Sequence, residues 1–250
     1  MCSPSFLISL AVLTVLLPTG QAALDAPECG KFNEQQYKSN EHPWIGRIVD
    51  EKDRLLCVGT LIYTRYVVTT AHCVSTRFRN HISKVIFGNL KSSDSYEIRS
   101  TFVHPDYSAE KFENDLAIIE LTKEVNVTEF VQPICLPSAK DPKDELKVVG
   151  WEGPLKPRNG PETTRLDKRI KMAFTRPDSQ ECDELPAHLI CGHAEKSPLS
   201  GSALIQASGN PRKFHLVGFA VAGIIKPGGV QGYLNIRPYL DWIRRLSEPL

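Results

Sequence analysis

The sequence has almost no excess of charge of either sign. It contains 30 Lys and Arg residues against 29 Asp and Glu residues, which gives a formal net charge of +1 over 250 residues. A chain this close to neutral gives no reason to expect a nucleic acid, an anionic membrane or an electrostatically captured substrate as its ligand. Its length and its hydrophobic fraction of 41% are those of one globular unit with a substantial core.

Several patterns with a specific meaning are also missing. The chain has no internal repeat and no low-complexity tract, and its longest apolar run, at 6–17, is a poor membrane span because it is short. No Cys-x2-Cys pair occurs, so the arrangement that favours zinc is absent. We therefore expect neither a metal nor a cofactor.

The apolar run at 6–17 is followed by small and turn-forming residues from Pro18 to Ala23. An N-terminal run of this length before a small-residue region is typical of a secretory signal peptide. We predict that 1–22 is a signal peptide and that the mature protein, 23–250, is extracellular. An uncleaved membrane anchor is the alternative, which the short run disfavours.

Cysteine use agrees with secretion. Of seven cysteines, Cys2 lies in the predicted signal and six remain in the mature chain. An even number of cysteines in an oxidising compartment predicts three disulfides, but six cysteines allow many pairings. The residues alone leave the pairing open.

Short runs of β-branched and aromatic residues, broken by Gly, Pro, Asn and Asp, fill the chain from Trp44 onward. They form two series, separated by a proline-containing and charged region at 133–147. The first comprises Trp44–Val49, Val58–Ile62, Tyr66–Thr69, Val85–Gly88, Ile98–His104 and Leu116–Leu121, and the second Val148–Trp151, Ile170–Phe174, Leu189–Cys191, Ala203–Gln206, Phe214–Ala222 and Tyr233–Ile236. Such spacing predicts an all-β sandwich or barrel. The last segment, 238–246, predicts a helix that starts at a proline.

Five motifs in a fixed order give a resemblance to a known family. They are Leu-Cys-Val-Gly-Thr-Leu-Ile at 56–62 with Arg-Tyr-Val-Val-Thr-Thr-Ala-His-Cys at 65–73, Asn-Asp-Leu-Ala-Ile-Ile-Glu-Leu at 114–121, Val-Gln-Pro-Ile-Cys-Leu-Pro at 131–137, Val-Gly-Trp at 149–151 and Tyr-Leu-Asp-Trp-Ile at 239–243. Together they resemble the chymotrypsin-like serine proteases over 29–246.

The resemblance implies a fold and a set of disulfides. We expect two antiparallel six-stranded β-barrels at about 40–130 and 148–237, a linker at about 131–147, a short C-terminal helix at about 238–247, and a site in the cleft between the barrels. The implied pairs are Cys57–Cys73, Cys29–Cys135 and Cys182–Cys191. A further bridge of many family members has no counterpart, since Lys196 stands at one of its positions.

The resemblance also places a catalytic triad. His72, Asp115 and Ser200 occupy its positions in the family's order. In such a triad the histidine takes the proton of the serine, and the buried carboxylate orients the histidine.

The residues before Ser200 depart from the family pattern Gly-Asp-Ser-Gly. Pro198 replaces the glycine whose backbone N–H helps to form the oxyanion hole, and a proline has no N–H. Leu199 replaces the aspartate that pairs with the new amino terminus after activation cleavage. The activation sequence itself is missing after Lys31, and Arg-Ile-Val-Asp at 47–50, which resembles it, is expected to be a buried strand.

The substrate cleft departs from the family as well. Val221 and Ala222 replace the first two residues of the Ser-Trp-Gly strand that binds substrate backbone. Ala194 replaces the aspartate that trypsin-like enzymes use to bind Arg or Lys. Gln231 stands where a glycine usually keeps the specificity pocket open, and we expect its side chain to fill the pocket.

One modification motif is present. Asn126-Val127-Thr128 is an N-glycosylation sequon, which predicts a glycan on Asn126 in a secreted chain, and an unused sequon is the alternative.

We interpret the chain as a secreted serine protease homologue with impaired or absent peptidase activity, of a type resembling insect haemolymph protease homologues. Such domains act by binding an extracellular protein, such as an active protease or its zymogen, as cofactors or decoys in a protease cascade such as innate immunity. The alternative is a serine endopeptidase with low or unusual activity. A binder of carbohydrate or microbial surfaces is a third class, for which no specific residues stand out.

Overall fold

The computed structural model describes most of the chain beyond the predicted signal peptide. The described residues are 29–31, 42–75, 81–88, 93–111, 113–137, 145–153, 169–176, 179–183, 185–193, 195–209, 213–221 and 230–247. The predicted signal peptide at 1–22 lies outside them, as do Ala194 and Ala222.

Six strands of the first half form a closed antiparallel barrel. They are β1 (Ile45–Val49), β2 (Leu55–Tyr63), β3 (Tyr66–Thr69), β4 (Lys84–Gly88), β5 (Ser93–Val103) and β6 (Ala117–Leu121). Their order is β1-β2-β3-β6-β5-β4, and β4 pairs back onto β1 to close the barrel. A one-turn helix, α1 (Ala71–Val74), follows β3 directly. Residues 47–49 belong to β1 with Ile48 and Val49 buried, which confirms that this stretch is a strand.

The second half contains a six-stranded antiparallel sheet and the C-terminal helix. The strands are β7 (Leu146–Trp151), β8 (Arg169–Ala173), β9 (Leu189–His193), β10 (Ala203–Ser208), β11 (Lys213–Ala220) and β12 (Val230–Asn235). The order β8-β7-β10-β11-β12-β9 puts β8 and β9 at the edges, and a bridge between Thr175 and His193 joins the two edges just beyond β8. A 3-10 turn at Arg237–Tyr239 leads into α2 (Leu240–Ser247).

This architecture confirms the predicted fold of two six-stranded antiparallel units with a short C-terminal helix. The clearest difference is in β5, which begins at Ser93 and not at Ile98. Its first half is polar and exposed apart from the buried Tyr96, and it is held by pairing with β4, from Lys84 opposite Glu97 to Gly88 opposite Ser93. A hydrophobic pattern cannot reveal a strand segment of this kind, because its pairing and not its burial defines it.

One continuous core crosses the boundary between the two halves. It contains residues of the first barrel such as Val58 and Val68 together with residues of the second sheet such as Trp151 and Ala203. The N-terminal residues 29–31 are fastened to the second half, since Gly30 N–H donates to the Pro133 carbonyl and the Gly30 carbonyl accepts from Phe214 N–H. The two halves therefore share packed side chains, and the site in a cleft between them stays a prediction.

Candidate active site

The first barrel brings His72 and Asp115 together at one end. Thr69 at the end of β3 pairs with Ala117 at the start of β6, so the residues just beyond them, His72 and Asp115, lie at the same edge. The Asp115 carboxylate accepts two hydrogen bonds from one residue, from the His72 backbone N–H at 2.9 Å and from Nδ1 of the ring at 2.7 Å. With Asp115 ionised, Nδ1 carries the proton and Nε2 is left as the acceptor that a general base needs.

The backbone before Asp115 is held in an unusual conformation. Asn114 has a φ of 52°, in the left-handed region that asparagine tolerates better than most residues. Its side chain spans two elements, because Nδ2 donates to the Asp106 carbonyl at 2.9 Å and Oδ1 accepts from the Tyr239 hydroxyl at 3.0 Å. Asn114 thus links the 3-10 turn before α2 to the backbone that orients Asp115. The 2% exposure of Asp115 keeps water from competing for its carboxylate.

The loop that carries Ser200 is seated on the first barrel. Val58 N–H of β2 donates to the Ser200 carbonyl at 2.9 Å, and Gly201 N–H donates to the Ala220 carbonyl at 2.9 Å. Gly201 has a φ of 84°, and a Cβ there would collide with the Val58 carbonyl. The Val58 carbonyl accepts from Thr69 Oγ1 at the end of β3. The Ser200 loop therefore contacts β2 next to the strand that leads to His72.

The residues before Ser200 pair with residues 151–153. Leu199 N–H donates to the Trp151 carbonyl and Gly153 N–H donates to the Ser197 carbonyl, both at 2.8 Å. Pro198 therefore faces Glu152 in the antiparallel pair type that exchanges no hydrogen bonds of its own. A backbone N–H at position 198 would point away from segment 151–153, so proline is compatible with this pairing. The donor that proline lacks is therefore an outward-pointing one.

Leu199 is half-buried and packs against the main core, so a carboxylate at this position would lie partly against apolar atoms. Ser202 N–H donates to the Leu199 carbonyl at 2.9 Å, which closes a tight turn around Ser200. Both contacts hold the loop in place with no ionic partner for residue 199.

Gln231 of β12 is buried, with 5% of its surface exposed. Its Nε2 donates to the Lys196 carbonyl at 3.4 Å, and its Oε1 accepts from the Tyr233 hydroxyl at 3.5 Å. The side chain of Lys196 in turn approaches Glu152, with Nζ and Oε2 3.8 Å apart. Gln231 thereby joins β12 to the start of the Ser200 loop. Burial also raises the pKa of the Tyr233 hydroxyl well above its usual range, which keeps it neutral and able to donate.

Val221 follows β11 and is buried, and its N–H donates to the Gly232 carbonyl at 3.1 Å. Ala194 and Ala222, the other predicted departures in the cleft, lie outside the described residues.

The six described cysteines form three disulfides, Cys29–Cys135, Cys57–Cys73 and Cys182–Cys191. These are the pairs that the family resemblance implied. A ring nitrogen of His72 and the sulfurs of Cys57 and Cys73 lie within 4.8 Å of one another. Because those sulfurs are bonded to each other, they offer no thiolate to a metal ion.

Sequence reasoning missed three features that shape this site. Thr70 is fully buried, and its Oγ1 lies 2.8 Å from Cys73 Sγ and 3.5 Å from His72 Nε2. The link from Asn114 to Tyr239 and the pairing of 151–153 with 197–199 were also missed. The asparagine before Asp115 was a usable signal, since asparagine is enriched at positive φ. The contacts of Thr70 are local and follow from the turn at 70–73, whereas the pairing of 151–153 with 197–199 depends on segments distant in sequence.

The comparisons with known proteins agree with this geometry. The family model described as Trypsin matches residues 31–243, and the chain therefore belongs to the trypsin family of serine proteases.

Relatives come from vertebrates and insects. The chain is 25% identical to the atrial natriuretic peptide-converting enzyme of Rattus norvegicus over 81% of its own length and 20% of that protein. It is 27% identical to the phenoloxidase-activating enzyme of Bombyx mori, over 84% of this chain and 59% of that protein. It is 28% identical to CLIP domain-containing serine protease B4 of Anopheles gambiae, over 88% and 72% respectively. The chain thus spans less than two thirds of the first two relatives.

Among solved structures, kallikrein-related peptidase 10 matches with a TM-score of 0.61 and 21% identity, over 83% of this chain and 96% of that one. This likeness supports the fold alone. Within the described part of the chain, no helix has the length and apolar character needed to cross a membrane.

Proposed function

We propose that this chain is a secreted serine protease homologue that has lost all or nearly all peptidase activity and acts by binding another protein. The partner we propose is an extracellular serine protease or its zymogen, and the role is that of a cofactor or decoy in a protease cascade. Two relatives are insect proteins named phenoloxidase-activating enzyme and CLIP domain-containing serine protease B4. The first name denotes an enzyme that activates another protein, which supports a protease cascade, and we propose innate immunity as its setting.

Pro198 is the observation that carries the proposal. It occupies the position at which an outward-pointing backbone N–H would stabilise the oxyanion, and Leu199 N–H, the next donor along the chain, is already bonded to Trp151. Losing one oxyanion donor costs about 10²–10³ in rate, or about 2.7–4 kcal/mol. Only the N–H of Ser200 itself remains as a donor of the kind the family uses.

The buried Gln231 supports loss of substrate binding independently of the oxyanion hole. Its side chain is buried and bonded to the Lys196 carbonyl in the region of the specificity pocket. A substrate side chain entering there must displace Gln231 and break that hydrogen bond. The two defects act on different steps, since one concerns the transition state and the other the bound substrate.

Leu199 supports the absence of an activation switch. A new amino terminus that inserted beside Leu199 would find apolar core atoms and no carboxylate, and a buried ammonium without a counter-charge is strongly disfavoured. We therefore expect the protein to reach its working conformation without activating cleavage.

One observation favours the second candidate, a serine endopeptidase with low or unusual activity. The 2.7 Å contact between His72 Nδ1 and Asp115 Oδ2 is the arrangement that a working general base requires. Chemistry at Ser200 thus depends on whether the altered loop still permits attack.

The test of activity is labelling of the mature protein with a small fluorophosphonate, which reacts with activated serines and needs no specificity pocket. We expect no labelling above that of Ser200→Ala under conditions that label trypsin completely. Near-ultraviolet circular dichroism would show that both proteins are folded. Labelling of Ser200 within about tenfold of the trypsin rate would support the endopeptidase, since a single missing donor alone predicts a larger loss.

The binding role has a separate test. The mature protein is added to candidate active proteases and zymogens from the same extracellular fluid, and their kcat/KM on a peptide substrate is measured. We expect one of them to change, and we expect Ser200→Ala to act as well as the unaltered chain because binding needs no nucleophile. An effect that disappears with Ser200→Ala would contradict a purely binding role.

A further inference from the structure

The loop after β6 presents a side chain that the proposed function does not use. Asn126, Val127 and Thr128 are exposed, and Val127, at 48%, is one of the two exposed large hydrophobic residues of the described chain. Asn126-Val127-Thr128 is also the sole Asn-x-Ser/Thr sequence among the 250 residues. Asn126 is therefore both the asparagine of the one sequon and exposed to solvent.

The backbone of this loop is fixed although its side chains face solvent. The Asn126 backbone hydrogen-bonds the Tyr96 hydroxyl of β5, and the Val125 N–H donates to the Thr64 carbonyl at 2.7 Å. Thr128 pairs with Val131 in a short bridge, and Thr128 Oγ1 accepts from Phe130 N–H at 3.1 Å. A large group on Asn126 Nδ2 would extend into solvent and break none of these contacts.

Strand direction decides where such a group would lie. β6 runs from Ala117, beside Thr69, to the region opposite Tyr66, and Leu121 N–H donates to the Arg65 carbonyl. Asp115 precedes the first end of β6, and Asn126 follows the second. A five-residue strand is about 17 Å long, so Asn126 lies at the barrel end opposite to His72 and Asp115.

We propose that Asn126 carries an N-linked glycan at this far end of the first barrel, where it covers Val127 and leaves the cleft open. The inference rests on the proposed secretion, because the donor is a lipid-linked oligosaccharide diphosphate of the secretory compartment. In the transfer, Nδ2 of Asn126 bonds to the anomeric carbon of the sugar. The bond from that carbon to the diphosphate oxygen breaks, the lipid diphosphate leaves, and the amide loses one proton.

The experiment is expression of the full chain in eukaryotic cells, once with its own N-terminus and once with an added leader of known secretory function. The protein recovered from the medium is treated with a peptide-N-glycosidase and measured by intact-mass spectrometry and peptide mapping. We expect a mass decrease that corresponds to one glycan and conversion of Asn126 to aspartate in the treated peptide.

Three variants separate the sequon from its surroundings. Asn126→Gln and Thr128→Ala should remove the glycan, whereas Thr128→Ser should keep it because serine preserves the sequon and the hydroxyl that accepts from Phe130 N–H. Fluorophosphonate reactivity and partner binding should be equal for the glycosylated chain and Asn126→Gln.

Unmodified Asn126 in protein secreted with the added leader would overturn the glycan. A glycan with that leader, together with retention in the cytosol with the natural N-terminus, would overturn secretion and leave the site standing. A difference in partner binding between the chain and Asn126→Gln would overturn the expectation that the glycan lies clear of the surface that the partner contacts.

Discussion

The two halves of the candidate site have diverged to different degrees. On the first barrel, His72 and Asp115 keep a short and buried hydrogen bond of 2.7 Å, supported by Asn114 and Tyr239. On the second, the Ser200 carbonyl is hydrogen-bonded to Val58 N–H, and Pro198 and Leu199 stand where the family resemblance leads us to expect glycine and aspartate. Under the proposed function, packing and hydrogen bonding preserve the shape of the site while the missing N–H at residue 198 removes part of its chemistry.

Gly201→Ala should lower the stability of the protein more than the other substitutions. It tests whether the Ser200 loop depends on its contact with the first barrel. The methyl group would meet the Val58 carbonyl at a residue with a φ of 84°. We expect a loss of about 3 kcal/mol or more in the free energy of unfolding, measured by denaturant titration.

Gly209→Ala is the matched control, since Gly209 has a φ of 82° but is exposed. Strain alone should cost it about 1–2 kcal/mol. Equal losses at both positions would mean that the contact with Val58 adds nothing.

Pro198→Gly tests directly whether the missing backbone N–H at residue 198 accounts for the difference in catalytic competence between the two halves of the site. If it does, the fluorophosphonate reaction at Ser200 should accelerate by about 10²-fold, as expected for one restored donor. The rate is measured by intact-mass spectrometry. The same substitution combined with His72→Ala should abolish the gain, and an unchanged rate in Pro198→Gly would place the defect elsewhere in the loop.

Asp115→Asn and Ser200→Ala compare how much a residue from each half of the site contributes to the free energy of unfolding. Asparagine can keep both contacts only if its NH₂ donates to an unprotonated His72 Nδ1, which replaces a bond to a carboxylate by a weaker neutral one, so we expect a loss of about 1–2 kcal/mol. Ser200→Ala should change the free energy of unfolding by less than about 0.5 kcal/mol. Thermal unfolding of both variants measures the difference, and a larger cost for Ser200→Ala would reverse the comparison.

The smallest expected effect is on the pH dependence of stability and comes from His104. This residue packs against Tyr239, which is hydrogen-bonded to Asn114 beside Asp115. It packs between Tyr239 and Trp242, and its pKa is lowered from 6.5 mainly by burial, with nearby Asp106 opposing. Its Nδ1 accepts from Asp106 N–H, which requires the neutral ring.

Because the folded chain binds the His104 proton less readily than the unfolded chain, stability from this residue is present above pH 6.5 and falls as the pH drops toward the lowered pKa. Denaturant titrations between pH 5 and 7.5 should show a shallower pH dependence for His104→Gln than for the unaltered chain. If the free energy of unfolding changed equally with pH in both proteins, protonation of His104 would not be linked to folding.

The sequence predicted the fold and the six cysteine partners because the motifs that carry them are contiguous. The structure has the Gln231 side chain buried and hydrogen-bonded to the Lys196 carbonyl, and its filling of the specificity pocket stays a prediction. The sequence could not predict the pairing of 151–153 with 197–199, since that pairing depends on how two distant segments meet. Nor could it show that proline at 198 satisfies this pairing, which is a property of hydrogen-bond direction and not of residue type.

The short N-terminal stretch 29–31 has a consequence for how the protein behaves if it is nicked. Cys29 is bonded to Cys135, and Gly30 is hydrogen-bonded to Pro133 and Phe214. A protease that cut the backbone between Lys31 and His42 would therefore release no fragment carrying Cys29. Electrophoresis would show one band without reductant and two with it, because the cut molecule would remain a covalently joined pair of chains.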